Sequence, residues 1–147
     1  MEKLAEKIVS ETISEEDTEN FARDFARSVK EGDIICFFGD VGAGKTVFTR
    51  GLCRGLGFKG YVNSPSYIIM NMYENDGMNI YHFDLYRIGS SPELTEIGFY
   101  DFIYSKNSVS IVEWADMIKD CLPEKRIDVF ISVTGENTRK FEITRHG

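Results

Sequence analysis

Residues 39–46 have the types and spacing that could hold a phosphate group. They follow the pattern G-x-x-x-x-G-K-[ST], directly after a predicted strand and at the start of a predicted helix. Glycines let consecutive backbone N–H groups point inward around an anion, and a helix start adds unsatisfied N–H groups and the positive end of the helix dipole. Lys45 would reach the β and γ phosphates, and the Thr46 hydroxyl would ligate Mg²⁺. The pattern therefore predicts a nucleotide-binding loop made of Gly39, Asp40, Val41, Gly42, Ala43, Gly44, Lys45 and Thr46.

Two acids follow predicted strands and could complete a hydrolytic site. Glu113 closes the predicted strand that ends in Val-Ser-Ile-Val at residues 109–112, the usual context of a Walker-B acid, and Asp84 follows residues 79–83. Ligands of doubly wound sheets gather at the carboxyl ends of strands, so both carboxylates could face a Mg·ATP complex. Each could instead be a solvated strand end, and which of the two orients an attacking water stays open. No Asn-Lys-x-Asp element for guanine recognition is present, which favours ATP.

Three nearby residues have a functional and a structural interpretation. Ser66 could offer its hydroxyl to Mg²⁺ or phosphate and act as a switch between ATP and ADP, or Pro65 could simply start a strand. His82 lies in an apolar strand and is interpreted as a packed histidine. Trp114, the only tryptophan, is interpreted as a core anchor.

Composition narrows the class of protein. The chain has 147 residues, 42% of them hydrophobic, which suits one globular domain spanning residues 1–147. Its net charge of −7 argues against a stand-alone nucleic-acid binder, although residues 41–73 contain no acid and four bases. No apolar run approaches the roughly 20 residues of a membrane span, so we expect a soluble, cytoplasmic protein with no membrane contact. The three cysteines have no metal-ligand spacing and are expected to be free, packed thiols.

Hydrophobic periodicity predicts an α/β fold, and the phosphate-loop pattern at residues 39–46 indicates that this fold is of the P-loop NTPase type. We expect a single domain with a mostly parallel central sheet, an added antiparallel hairpin and flanking helices. The Asp-Gly pair at residues 76 and 77 marks the hairpin turn. The predicted helices cover residues 15–30, 45–56, 92–104 and 115–120, and the predicted strands cover 34–38, 67–73, 79–83, 108–112, 127–133 and 140–144. The Ser-Glu-Glu-Asp of residues 14–17 resembles a capping box at the start of the first helix.

Four motifs in this order resemble the bacterial TsaE family over nearly the whole chain. They are the phosphate loop with the Arg-Gly-Leu of residues 50–52, Ser-Pro-Ser-Tyr at 64–67, His-Phe-Asp-Leu-Tyr-Arg at 82–87 and Val-Glu-Trp at 112–114. The resemblance implies a small P-loop ATPase that uses ATP and Mg²⁺ in forming threonylcarbamoyladenosine in tRNA. It also implies that the chain acts with the proteins TsaD and TsaB and reaches tRNA only through that complex.

The same resemblance implies roles for individual residues. Mg²⁺ would be held by Thr46 and Glu113, Asp84 would be catalytic or orient water, and Ser66 would behave as a switch. Contacts to the nucleotide would further include Ser14, Glu15, Val47 and Arg139. Where this family usually has threonine, Val47 lacks a polar side chain and keeps only its backbone N–H.

Two other functions compete with the ATPase interpretation. A small-molecule kinase would need an acceptor pocket and usually an arginine-bearing lid, yet residues 60–77 contain no arginine. A non-catalytic, nucleotide-gated adaptor would need binding alone to order the switch. No extra arginine is placed as an in-chain finger, so we expect slow turnover in isolation and faster turnover with partner proteins.

Overall fold

A seven-stranded sheet forms the centre of the protein, seen in a computed structural model that describes residues 6–39, 44–62, 70–75, 77–85, 88 and 90–147. Five predicted site residues lie outside the described residues, namely Asp40, Val41, Gly42, Ala43 and Ser66. The strands are β1 (Glu6–Thr12), β2 (Ile34–Gly39), β3 (Met70–Asn75), β4 (Met78–Asp84), β5 (Ser108–Glu113), β6 (Ile127–Val133) and β7 (Arg139–Arg145).

The sheet is mixed, with the strand order β1-β7-β6-β2-β5-β4-β3. The four inner strands β6, β2, β5 and β4 pair in parallel. The pairs β1–β7, β7–β6 and β4–β3 are antiparallel. The α/β class and the β3–β4 hairpin are confirmed, but the expectation of a mostly parallel sheet is wrong. Half of the neighbouring pairs are antiparallel because β7 and β1 fold back along the β6 edge.

Helices cover both faces of this sheet. They are α1 (Glu15–Phe25), which continues into a 3₁₀ turn (Ala26–Ser28), α2 (Lys45–Gly55), α3 (Ser91–Glu96) and α4 (Phe99–Ile103), and a further 3₁₀ segment covers Ala115–Cys121. Strand β2 is buried on both faces from Ile34 to Phe38, as its unbroken apolar run predicts. One core lies between the sheet and α1 with α2, where the rings of Phe37, Phe48 and Phe141 meet. The other core lies under α3 and α4.

The first helix begins with the predicted capping box. The Ser14 hydroxyl accepts a hydrogen bond from the Asp17 backbone N–H at 3.0 Å. The Asp17 carboxylate accepts one from the Ile13 backbone N–H at 2.9 Å. This reciprocal pair fixes where α1 starts, and it therefore fixes the position of Ser14 and Glu15 at one end of the sheet.

Helices α1 and α2 cross at very close range through a glycine. A Cβ atom added to Gly51 would clash with the Glu19 carbonyl oxygen and would lie 2.9 Å from the Ala22 Cβ. An ion pair between Arg50 and Glu19, 3.3 Å from nitrogen to oxygen, lies beside this crossing. The close approach brings the N-termini of both helices to the same end of the sheet, next to the carboxyl ends of the inner strands.

Three predictions about the elements are wrong. Strand β1 is missed altogether because its partner β7 lies some 130 residues away, and its apolar Ile8 and Val9 stay about half exposed at the sheet edge. The single helix predicted over residues 92–104 is two short helices, because Gly98 takes a left-handed φ of 77° between them. The first helix ends at Phe25, with its 3₁₀ turn reaching Ser28, instead of running to residue 30.

The thiols are free, as expected. Cys36 and Cys53 are buried, and Cys121 is half-buried. Burial, reinforced for Cys36 by the nearby Asp128 carboxylate, raises the pKa of the Cys36 thiol far above its ordinary value. Burial raises the pKa of Cys53 to about 12. Both therefore remain neutral packing groups at physiological pH.

None of the helices in the described part of the chain has the length and apolar content that a bilayer-spanning helix needs.

Replacing Gly51 with alanine should lower the free energy of unfolding by about 1–3 kcal/mol, because the added methyl forces α1 and α2 apart. Urea unfolding at equilibrium measures the change. The matched control is Asn20→Ala on the exposed side of α1, which should stay within about 0.5 kcal/mol of the unsubstituted protein. Equal stabilities of the two variants would contradict a tight crossing at Gly51.

Candidate functional site

A cavity of about 500 Å³ opens where α1 and α2 begin and where β4 and β5 end. Thirteen described residues line it, and nine of them are predicted site residues: Ser14, Glu15, Gly44, Lys45, Thr46, Val47, Asp84, Glu113 and Arg139. The chain contributes them from the start of α1, the start of α2, the ends of two parallel strands and the start of β7. Gly39, at the exposed carboxyl end of β2, is not among the described lining residues.

The two predicted acids are brought together by strand register. Asp84 and Glu113 are Cα partners at the ends of the parallel strands β4 and β5. Side chains alternate along a strand, so Glu113 shares the face of Ile111, which packs in the core beneath α1 and α2. Both carboxylates therefore lie on the face covered by α1 and α2, and both line the cavity together with the N-terminus of α2.

Lys45 is a buried cation at the first turn of α2. Its side chain is only 5% exposed, and its Nζ atom has no hydrogen-bond partner among the described residues. Gly44 precedes it with a left-handed φ of 92°, which a residue with a side chain rarely adopts. A buried ammonium without a hydrogen bond is costly, so an anion that accepts its hydrogen bonds would be bound favourably here.

Trp114 lies in this cavity and is a site residue that the sequence interpretation missed. Its ring centroid is 4.9 Å from Lys45 Nζ, within range of a cation–π interaction. Its backbone has a φ of 62°, a left-handed conformation that is uncommon outside glycine. Strained non-glycine residues often cluster at functional sites. The signal for Trp114 that the sequence offered was its position directly after Glu113, an acid that ends a predicted strand.

The Glu113 carboxylate contacts a buried histidine of the neighbouring strand β4. Glu113 Oε2 lies 2.6 Å from His82 Nε2, and His82 Nδ1 lies 3.2 Å from the Tyr73 hydroxyl. His82 is fully buried, as the packed-histidine interpretation predicts, but its ring makes polar contacts on both nitrogens. The signal for this contact was the two-residue spacing from Asp84, which places both side chains on one face of β4.

The rim of the cavity includes other residues that sequence reasoning missed. Thr18 of α1 shares a buried hydrogen bond of 2.6 Å with the Thr12 hydroxyl of β1. Glu136 and Asn137 come from the turn between β6 and β7. Arg139 is anchored at that turn, where its Nη1 donates to the carbonyl oxygens of Thr138 at 2.9 Å and Gly135 at 3.1 Å.

The charges of the cavity favour a metal-bound anion over a bare one. Among the lining residues, Glu15, Asp84, Glu113 and Glu136 are acidic, whereas Lys45 and Arg139 are basic. A triphosphate alone would be repelled by this excess of acid, and a divalent cation would offset the repulsion. No cluster of three or more metal-binding side chains occurs within the described ranges. Mg²⁺ commonly needs only one or two protein carboxylates when phosphates supply the other ligands.

The chain is similar to a single protein family over most of its length. The family model for "Threonylcarbamoyl adenosine biosynthesis protein TsaE" matches residues 12–141. A Bacillus subtilis relative named tRNA threonylcarbamoyladenosine biosynthesis protein TsaE is 36% identical over 118 residues, which are 80% of this chain and 73% of the relative. A Haemophilus influenzae relative of the same name is 40% identical over 95 residues, which are 65% of this chain and 58% of the relative.

The fold has a close relative among solved structures as well. The crystal structure of Bacillus subtilis YdiB superposes with a TM-score of 0.81 at 30% sequence identity. The superposition covers 99% of this chain and 89% of that one. The family match therefore extends well beyond the phosphate-loop motif, and the structural match covers the whole fold.

Because Trp114 is the only tryptophan and lies beside Lys45, its fluorescence should report occupancy of the cavity. Titration with Mg²⁺ and ATP should change the emission in a saturable way as Lys45 turns toward phosphate. Lys45→Ala should raise the apparent Kd by about 10- to 100-fold, the usual worth of one or two hydrogen bonds to a charged group. Lys59→Ala, at an exposed position outside the cavity, is the control and should leave the titration unchanged. Unchanged emission of the unsubstituted protein at saturating nucleotide would contradict this interpretation.

Proposed function

The chain belongs to the TsaE family of tRNA threonylcarbamoyladenosine biosynthesis proteins, and from that premise we propose that it binds and hydrolyses ATP in the cavity described above. The observation that carries the proposal is the buried Lys45 ammonium at the start of α2, which lines the same cavity as two carboxylates in strand register. A cation that needs an anion and acids that need a metal are complementary requirements. Mg·ATP meets both.

The donor set of the cavity fits Mg²⁺. Thr46 and Glu113 would hold the ion through a hydroxyl and a carboxylate oxygen, which are the hard ligands that Mg²⁺ prefers. When bound, Mg²⁺ would offset the negative charge that develops during phosphoryl transfer.

We propose a role for each remaining residue of the cavity. Lys45 would bind the β and γ phosphates together with the backbone N–H groups of Gly44, Thr46 and Val47 at the start of α2. Asp84 would orient or deprotonate the attacking water, since it lies beside Glu113 but ends the neighbouring strand. Ser14, Glu15 and Arg139, which also line the cavity, would contact the adenine end. The proposed contacts of Gly39, Asp40, Val41, Gly42 and Ala43 with phosphate, and the switch role of Ser66, remain predictions of the sequence.

We further propose that the isolated chain turns over slowly, and the arginines of the cavity support this. Arg139 is the one arginine among the described lining residues, and its Nη1 is committed to carbonyl oxygens of its own turn. An arginine finger can raise the rate of phosphoryl transfer by about 10³- to 10⁵-fold. We propose that TsaD and TsaB complete the site, that tRNA is reached only through this complex, and that the protein works in the cytoplasm.

Asp84→Asn should separate hydrolysis from binding, because the amide keeps the shape of the side chain but cannot act as a base. We expect phosphate release to fall by about 10²- to 10⁴-fold, while the Trp114 titration with Mg·ATP changes only a few-fold. Glu113→Gln should instead weaken the dependence on Mg²⁺. A full hydrolysis rate in Asp84→Asn would remove Asp84 from the chemistry. Preserved tRNA modification by this variant without hydrolysis would favour the nucleotide-gated adaptor.

Phosphate release from ATP should be slow for the chain alone and at least about tenfold faster with purified TsaD and TsaB, if the partners supply the missing positive charge. GTP in parallel should give lower rates. A reaction that contains TsaD, TsaB and the Lys45→Ala variant controls for contaminating ATPases, because this variant should not bind phosphate normally. Equal rates with and without the pair would contradict a partner-completed site. A phosphorylated small molecule in place of free phosphate would show a kinase.

A further inference from the structure

A chain of three buried polar side chains crosses the sheet and ends at the cavity. Tyr73 of β3, His82 of β4 and Glu113 of β5 come from three neighbouring strands, and all three are buried. The Tyr73 hydroxyl is 3.2 Å from His82 Nδ1, and His82 Nε2 is 2.6 Å from Glu113 Oε2. Only Glu113 of the three lines the cavity.

The sheet register makes this diagonal contact possible. His82 has Ile111 as its partner on β5, two residues before Glu113, and Tyr73 has Ile80 as its partner on β4, two residues before His82. Alternation along strands puts the three side chains on the same face, and diagonal neighbours lie within reach of long side chains. The Tyr73 ring also packs on Phe58, with ring centroids 4.9 Å apart, so the start of the chain has little freedom to move.

Hydrogen-bond chemistry assigns a direction to the chain. An ionised carboxylate can only accept, so the short contact at Oε2 requires a proton on His82 Nε2. The other nitrogen of a neutral imidazole is then an acceptor, and the Tyr73 hydroxyl must donate to it. Every member of the chain is satisfied in this arrangement. The opposite tautomer would place two lone pairs 2.6 Å apart at Glu113.

We infer that His82 is a positioning residue for the divalent cation: it holds Glu113 through Oε2, in the tautomer set by Tyr73, and leaves Oε1 to bind the metal. This inference rests on the proposed function, because the cation is the one that accompanies the nucleotide. A carboxylate that a histidine already orients loses less conformational entropy when the metal binds.

The decisive measurement is a calorimetric titration with Mg²⁺ at a fixed concentration of a non-hydrolysable ATP analogue, which gives the affinity for Mg²⁺. His82→Leu should weaken Mg²⁺ binding by about 10- to 100-fold, the usual effect of losing such a supporting contact. Affinity for the analogue in the presence of EDTA should change less than about twofold. A merely structural role would lower thermal stability without this separation of metal from nucleotide.

Two variants and one control keep the test independent of folding defects. His82→Gln should restore most of the Mg²⁺ affinity, since the glutamine amide can donate from near the position of Nε2. Tyr73→Phe keeps the ring but removes the hydroxyl, and should weaken Mg²⁺ binding by roughly 2- to 10-fold. Tyr81→Phe is the matched control. It removes a hydroxyl that accepts a hydrogen bond from Asn79, and Tyr81 lies on the face of β4 opposite to His82. This variant should leave Mg²⁺ binding unchanged. Equal Mg²⁺ affinity of His82→Leu and the unsubstituted protein would overturn the inference.

Nitrogen-15 NMR of the imidazoles tests the direction of the chain without nucleotide or metal. The sequence contains only two histidines, so His146→Gln assigns both rings. We expect His82 to show a protonated Nε2 and an unprotonated Nδ1, and Tyr73→Phe to mix the two tautomers. A proton on Nδ1 of the unsubstituted protein would overturn the assignment.

The binding measurements distinguish failure of the proposed function from failure of the positioning role. If the unsubstituted protein binds neither the analogue nor Mg²⁺, the proposed function fails. If it binds both and His82→Leu behaves normally, only the positioning role fails.

Discussion

Asp84 and Glu113 lie side by side because β4 and β5 pair in parallel in one register, and most of the cavity depends on that register. A slip of one residue would send the Asp84 side chain to the opposite face of the sheet, beneath α3 and α4. The same slip would separate His82 from Glu113 Oε2. Apolar residues at alternate positions of both strands pack in the two cores and hold the register in place. The chemistry of the cavity is therefore secured by hydrophobic burial several residues away.

The cavity also contains features that a purely structural core would avoid. Lys45 is buried, yet its ammonium makes a cation–π contact and no hydrogen bond among the described residues. Trp114 supplies that contact from a left-handed backbone position. A buried charge without hydrogen bonds and a strained residue each cost free energy, and both occur where the proposed phosphate would bind. Their coincidence favours a site built for an anionic ligand over an accidental cleft.

The cavity is assembled from chain segments that are distant in sequence. The close crossing of α1 and α2 at Gly51 brings Ser14 and the start of α2 to one cavity, and the β6–β7 turn brings Arg139 to the same cavity. Membership of the TsaE family connects this arrangement to tRNA threonylcarbamoyladenosine biosynthesis.

The sequence by itself predicted the residues that could do chemistry, because phosphate-loop spacing and strand-ending acids are local patterns. It predicted the α/β class and the capping box at Ser14 for the same reason. It missed β1, whose pairing with β7 is decided by contacts across the whole chain, and it therefore underestimated the antiparallel share of the sheet. It also treated His82 and Trp114 as packing residues, since side-chain type says nothing about what lies across the neighbouring strand. Only the tertiary structure decided that His82 meets Glu113 and that Trp114 covers Lys45, because those contacts depend on strand register and backbone conformation.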